Sequence, residues 1–356
     1  MALKERNQTL DSFRGIAMLL VVLGHTITGC TVNSQDSFLF NTIWTLQMPL
    51  FFMISGYVTN YLKPIRNAKD LMQYIGRRTF SYIVPWISWT FFVRGLIFGQ
   101  TRFLNIELII YNLDSGYWFL ISIWIISIIF GFTNYFSSKL TAKYNFSKVK
   151  NLACILAFAG IGELFLAIIG LAFGLSFFAI KLSLYYLPLY MLGFLFGRAK
   201  SYFDTLRNKN IIYDTVVSIC LVIYLTLLTK INFYYIADNS LGILIRLTAS
   251  VSGCVVMFGL LNITLNKRRA YISFLNYVGT HSLEVYVIHY LVLNIVQMSE
   301  IPSFNTFEGM ALVMINFVLT IIISMGITLL LNNNCICKML LFGKKNSTSY
   351  KLKGTE

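Results

Sequence analysis

Charged residues are scarce in this sequence: Asp, Glu, Lys and Arg make up 12% of 356 residues, where a soluble domain carries about 25%. Set beside 57% apolar residues, that shortage excludes a string of ordinary water-soluble domains. Six cysteines are present, Cys30, Cys154, Cys220, Cys254, Cys335 and Cys337, without the paired spacing that zinc sites and redox motifs use, so no metal and no disulfide framework is expected. A glycine-rich phosphate loop and an aromatic–basic reading module are also missing, which removes nucleic-acid binding as the meaning of the +15 net charge. No internal repeat of fixed period is found.

What the sequence does have is long apolar runs, each of roughly 17 to 25 residues and able to cross the hydrocarbon layer of a bilayer. Ten are predicted, at about 12–29, 39–61, 79–98, 117–135, 152–171, 175–197, 211–229, 241–264, 274–297 and 309–332. The connections alternate in charge. One set carries Lys63, Arg66, Lys69, Arg77 and Arg78, then Lys139, Lys143, Lys148 and Lys150, then Arg198, Lys200, Arg207 and Lys209, then Lys267, Arg268 and Arg269. With the basic residues of the termini, 24 of the 29 Lys and Arg fall on one side. By the positive-inside rule that side is cytoplasmic. The expected fold class is an all-α, polytopic integral membrane protein of about ten transmembrane helices with both termini cytoplasmic, in a bacterial cytoplasmic membrane. Residues 1–335 form a single membrane domain and 336–356 a basic cytoplasmic tail. Ile27-Thr28-Gly29-Cys30 resembles a lipoprotein cleavage box, but His25 inside the preceding run and Asp11 beside Arg14 point to a retained first span.

Ionisable groups inside spans are costly, so they carry the functional information. Arg14 and His25 are eleven residues apart, three turns and about 20° at ~16 Å, hence on one face of the first span. Only two other histidines exist, both in the ninth run, which reads Gly279-Thr280-His281-Ser282-Leu283-Glu284-Val285-Tyr286-Val287-Ile288-His289-Tyr290. Ser282, Tyr286 and His289 form one polar stripe there, and His289 is predicted at the depth of His25. Such a stripe can equally be a hydrogen-bonded seam between helices. Gln47-Met48-Pro49-Leu50-Phe51-Phe52 and Ser55-Gly56 predict a kinked second span with a close-packing face. Arg94, Lys181 and Arg246 lie near the extracytoplasmic ends of three spans, as snorkelling anchors or as the lining of an outward-facing pocket for an acidic or polar acceptor. Glu163 stands mid-span with no partner named by the sequence.

These residues resemble the acyltransferase 3 family of integral membrane acyltransferases. Leu10-Asp11-Ser12-Phe13-Arg14-Gly15 leading to Gly24-His25 is similar to that family's first helix, with its arginine, ten residues, then histidine. Met48-Pro49-Leu50-Phe51-Phe52 through Tyr57 resembles its second-helix signature, and Trp118-Phe119-Leu120 and the Gly279/Ser282/Tyr286/His289 stripe match in type and order. The Gln-Met-Pro version is most similar to the fucose 4-O-acetylase and surface-polysaccharide branch. One departure is visible: the family's paired arginines at the third helix stand three apart, whereas Arg77 and Arg78 are adjacent.

The resemblance implies an O-acyltransferase that moves an acyl group, acetyl first among the options, from cytoplasmic acetyl-CoA or another acyl-CoA to a hydroxyl of an envelope or surface polysaccharide or a lipid-linked sugar. Arg14, Arg77 and Arg78 would meet the donor's phosphates. His25 would act as general base, with Tyr286, Ser282 or His289 orienting it or stabilising the oxyanion. Membrane lipids are the other expected partners, attracting the basic loops, and no nucleic acid is. A transporter or flippase for lipid-linked sugars, or an assembly subunit, remains the alternative class. A transporter would be expected to show similarly broken helices in two halves.

Overall fold

The computed structural model describes residues 8–62, 65–111, 117–199, 211–264 and 269–344, and the side chains of 260–272 lie outside that description. So do Lys63, Gly116, Lys200, Arg207, Lys209, Lys267, Arg268 and the tail beyond Lys344. The described chain is helical, with one isolated bridge between Val32 and Ser303. Among the described residues nine helices are long and apolar enough to cross a membrane, and they coincide with nine of the ten predicted runs.

The ninth predicted run, 274–297, is where the structure departs from expectation. It holds a helix that breaks at His281 (φ −110°, ψ 19°), resumes from Ser282 to Ile288, tightens into a 3₁₀ turn at His289–Leu291 and then leaves helical geometry. The apolar average that predicted a continuous span conceals polar side chains that pair with backbone. The His281 amide and Thr280 Oγ1 both donate to the Tyr277 carbonyl, at 3.2 and 2.8 Å. Farther on, Asn316 Nδ2 donates to Val296 O at 2.9 Å while its Oδ1 accepts from Val296 N at 3.0 Å, and Thr320 Oγ1 donates to Val292 O at 3.0 Å. Non-helical backbone survives at membrane depth only when its polar groups are satisfied in this way.

Two compact units are present, Met1–Asn60 with Leu192–Thr328 and Tyr61–Met191 with Leu329–Glu356. The first contains α1 (Gln8–Cys30), α2 (Phe38–Val58), α8 (Ile211–Lys230), α9 (Ser240–Thr264), α10 (Arg269–Thr280), α11 (Ser282–Ile288) and most of α12 (Phe307–Asn332). Within it α1 packs on α2 and α10, and α9 on α8 and α2. Asn41 of α2 closes the end of α8: its Nδ2 donates to Leu228 O and Ile231 O at 3.2 and 2.8 Å, and its Oδ1 accepts from Phe233 N at 2.8 Å. Those contacts satisfy carbonyls that a helix end leaves open.

The second unit contains α3 (Ala68–Ile87), which continues as a π-helix over Ser88–Ile97, then α4 (Ile106–Tyr111), α5 (Trp118–Tyr144), α6 (Lys148–Phe173), most of α7 (Ile180–Arg198) and α13 (Cys335–Phe342). α3 starts eleven residues before the apolar run because Asn67 caps a polar first turn, accepting from Asp70 N at 2.8 Å. Pro85 has no amide to continue the α-helical ladder, and the widened π turns follow it. α13 occupies the start of the expected tail and packs on α3. Ser88 Oγ and Trp89 Nε1 donate to Leu340 O and Leu341 O at 2.7 and 2.8 Å, and buried Phe342 stacks on Trp89.

The tightest helix contact in the first unit is α1 on α10. A Cβ at Gly15 would overlap the Leu275 carbonyl, and one at Gly279 would overlap the Asp11 carbonyl. Gly279→Val is therefore expected to lower stability by about 1–3 kcal/mol or more, as overpacking does, read as a drop in melting temperature of the detergent-solubilised protein. Gly326→Ala, at a glycine with open space around it, is expected to leave that temperature unchanged.

Candidate active site

The contacts of α1 with the ninth run keep one register from end to end. Ser12 Oγ donates to Asn276 Oδ1 at 2.6 Å, a separation of 264 residues. Thirteen to eighteen residues later on α1, His25 meets Tyr290 at a separation of 265, and Cys30 and Gly29 meet Asn294 at 264 and 265. A constant separation means that the two segments run parallel and side by side. The glycines explain why they sit so close: Gly15 and Gly279 each accept the other helix's backbone where a Cβ belongs. The two parallel segments thus bring the first span's histidine level with the second histidine of the ninth run.

At that level His25 Nε2 is 2.9 Å from the Tyr290 hydroxyl. The His25 and His289 rings stand 5.4 Å apart between centroids, and Tyr290 lies 4.8 Å from His25 and 4.2 Å from His289. Tyr286 completes the group, 5.8 Å from His289 and 6.3 Å from Tyr290. His289 is fully buried, and its Nδ1 lies 3.1 Å from Val285 O. A carbonyl only accepts, so Nδ1 carries the proton and Nε2 holds the lone pair in the neutral ring. Two imidazoles and two phenols, packed ring to ring where a helix ends, can accept, hold and return a proton.

Of the residues singled out in the sequence, His25, His289 and Tyr286 are brought together. Ser282 is not: it opens α11, half-buried, and among the described residues no hydrogen bond joins it to the imidazoles. Arg14 lies three turns before His25 on α1, partly exposed, with its Nη1 3.4 Å from the carboxylate of buried Asp11. In the second unit Arg77 is exposed and donates to Gln73 Oε1 at 3.4 Å. Arg78 instead lies among tyrosines, 5.2 Å over the Tyr74 ring and 3.4 Å from the Tyr82 hydroxyl. Arg246 is held locally, by Asp238 Oδ1 at 2.8 Å and by the Ile236 carbonyl. Groups of three or more His, Cys, Asp or Glu able to hold a metal are absent among the described residues.

Tyr290 was not part of the predicted stripe. A uniform α-helix places residue 290 a full 100° from His289, whereas the 3₁₀ turn that starts at His289 redirects it onto His25. Two further buried polar groups carry no periodic signal in the sequence. Glu284 is completely buried in α11. Gln47, from the Gln-Met-Pro motif, brings its side chain against Gly24, the neighbour of His25, with its Oε1 buried and unpaired among the described residues.

The family model described as an acyltransferase domain matches residues 7–331. A nodulation protein, NolL, of Sinorhizobium fredii is 26% identical over 208 residues, 54% of this chain and 49% of that protein. NolL of Mesorhizobium japonicum is 30% identical over 90 residues, 24% of this chain and 23% of that protein. The chain thus spans half or less of the length of these relatives, and no solved structure matches it. With the family model covering nearly the whole chain, and the Arg14–His25 helix and its partner run inside the matched residues, the chain belongs to the acyltransferase 3 family of integral membrane acyltransferases.

Proposed function

We propose that this protein is an O-acyltransferase that transfers an acyl group, acetyl by resemblance, from acyl-CoA to a hydroxyl of an envelope or surface polysaccharide sugar. The observation that carries the reading is the His25 cluster: an intramembrane imidazole with its Nε2 on a phenol and a second imidazole beside it, in a chain whose family performs acyl transfer. A sugar hydroxyl is a poor nucleophile at neutral pH, and a base positioned within hydrogen-bond reach lowers the barrier by holding the departing proton.

In this reading the sugar hydroxyl takes the place of the Tyr290 hydroxyl at His25 Nε2. Nε2 accepts the hydroxyl proton as the sugar oxygen bonds to the thioester carbon. The carbon–sulfur bond then breaks, and the imidazolium returns the proton to the CoA thiolate, so the histidine ends as it began. Tyr290, displaced by one hydrogen-bond length, is placed to donate to the oxyanion that forms on the carbonyl oxygen. For the donor's phosphates we retain Arg14, Arg77 and Arg78 as contacts on their charge alone. The expected setting is a bacterial cytoplasmic membrane.

The test uses the full chain in lipid nanodiscs with radiolabelled acetyl-CoA and an envelope polysaccharide. His25→Ala is expected to lower label transfer at least a hundredfold, within the 10²–10⁴ range of general-base catalysis, while the protein stays inserted and monodisperse. Near-normal transfer in that variant rejects the assignment. Tyr290→Phe is expected to lower kcat roughly tenfold with little change in KM for acetyl-CoA, as removal of a contact made in the transition state does. Arg77→Ala is expected to do the reverse, raising that KM several-fold at constant kcat.

A further inference from the structure

The span with the least protein around it carries polar groups that acyl transfer does not use. Only 11% of the most apolar stretch of α8 is buried, the smallest share among the nine described spans, so this helix meets lipid along most of its length. The connection before it holds Arg198, Lys200, Arg207 and Lys209, which puts its start at the cytoplasmic surface. Charge on a lipid-facing helix is costly, yet Asp214 stands exposed in the first turn of α8. The other described aspartates of the first unit are engaged: Asp11 with Arg14, Asp36 with Asn232 and Asp238 with Arg246. The side chain of Asp214 has no hydrogen bond or ion pair among the described residues, and neither has that of Ser218 one turn farther on. Thr215 does have one, its hydroxyl returning to Ile211 O at 2.7 Å. The helix dipole accounts for a carboxylate in a first turn, but not for what lies beside it.

A groove of about 590 Å³ opens there, inside the range of roughly 300–1,000 Å³ that small-molecule sites occupy. Its lining falls in two rows spaced by four residues, Ile211, Thr215, Ile219 and Ile223 in one and Asp214, Ser218 and Val222 in the other. Rows of that spacing are the ridges of a helix surface and leave a furrow between them. Ile219, Val222 and Ile223 lie roughly 8–14 Å deeper than Asp214 along the axis. The groove is therefore amphipathic, its polar end at the cytoplasmic surface and its apolar end in the hydrocarbon layer. An occupant has to match both ends. The carboxylate calls for a cation, and the serine oxygen accepts as well, so the cation needs more than one N–H. A primary ammonium has three, whereas a trimethylated one has none to give.

We propose that this groove binds a phospholipid of the cytoplasmic leaflet with a primary-amine head group, the chemistry of phosphatidylethanolamine. The ammonium sits on Asp214 with Ser218 Oγ as its second acceptor, and one acyl chain runs along Ile219, Val222 and Ile223. The site complements the basic loops, which attract anionic lipid by charge, whereas Asp214 repels it.

The experiment measures lipid binding to the full chain in detergent micelles by native mass spectrometry. Dioleoyl-phosphatidylethanolamine, its choline analogue and its glycerol analogue are added separately at equal concentration. The expected result is a saturable ethanolamine-lipid site preferred over the choline lipid by about fivefold, the scale of a partly exposed ion pair. Asp214→Asn, of the same shape, brings the ethanolamine lipid down to the level of the choline lipid, and Ser218→Ala weakens it by a smaller factor. Ile219→Trp fills the apolar half of the groove without touching the charge and also weakens it. The glycerol lipid, drawn to the basic loops, serves as the control, and its binding does not fall in Asp214→Asn. Circular dichroism confirms that all three variants fold. The proposal is overturned if the wild type binds the ethanolamine and choline lipids alike, if Asp214→Asn keeps the preference, or if Ile219→Trp binds as the wild type does.

Discussion

The contact on which the site depends is the approach of α1 to α10 through Gly15 and Gly279. Each glycine admits the other helix's carbonyl where any side chain would collide. In a bilayer, helices gain nothing by burying apolar surface against one another that lipid would not also supply, so close packing and directed polar contacts must hold them. The Ser12–Asn276 bond fixes the register near one end and the Asn294 contacts with Gly29 and Cys30 fix it near the other. Between those ties His25 has no choice of neighbour: the residues opposite are His289 and Tyr290.

The end of the ninth run matters as much as its register. A continuous helix to residue 297 would carry the backbone past the imidazoles and leave no irregular segment beside them. The chain instead leaves helical geometry just after Leu291. Asn316 and Thr320 take up its freed backbone groups, while the side chain of Asn294, in the left-handed region at φ 59°, donates to the Gly29 carbonyl at the end of α1. The Val32 amide and carbonyl pair with Pro302 and Phe304, and an apolar cluster of Ile27, Phe40, Ile43, Phe304, Leu312 and Val313 fills the space beneath.

Much of this was legible in the sequence, for identifiable reasons. Long apolar runs report bilayer thickness directly, so nine spans were found to within a few residues at most ends. Counting residues inward from the span ends placed His25 and His289 at one depth, and the parallel register makes them neighbours. Three features were not legible. The break at His281 and the early stop at Leu291 depend on which side chains can satisfy backbone groups, and an apolar average is blind to that. Tyr290 follows from the break, because helical periodicity assumes the helix continues. The burial of Arg94 is the third, because residues 98–111, whose Gln100 and Phe103 contact it, carry no signal of their tertiary position.

The central claim is geometric: His25 Nε2 is held by Tyr290 beside a His289 whose Nδ1 bears the proton. Because the chain has only three histidines, ¹⁵N NMR of histidine-labelled protein in nanodiscs resolves each ring and tests the claim directly. The account predicts that Tyr290→Phe shifts the Nε2 signal of His25 and leaves that of His281 in place, with His289 as the Nδ1–H tautomer. An unchanged His25 signal in Tyr290→Phe, or His289 protonated at Nε2 alone, would contradict it.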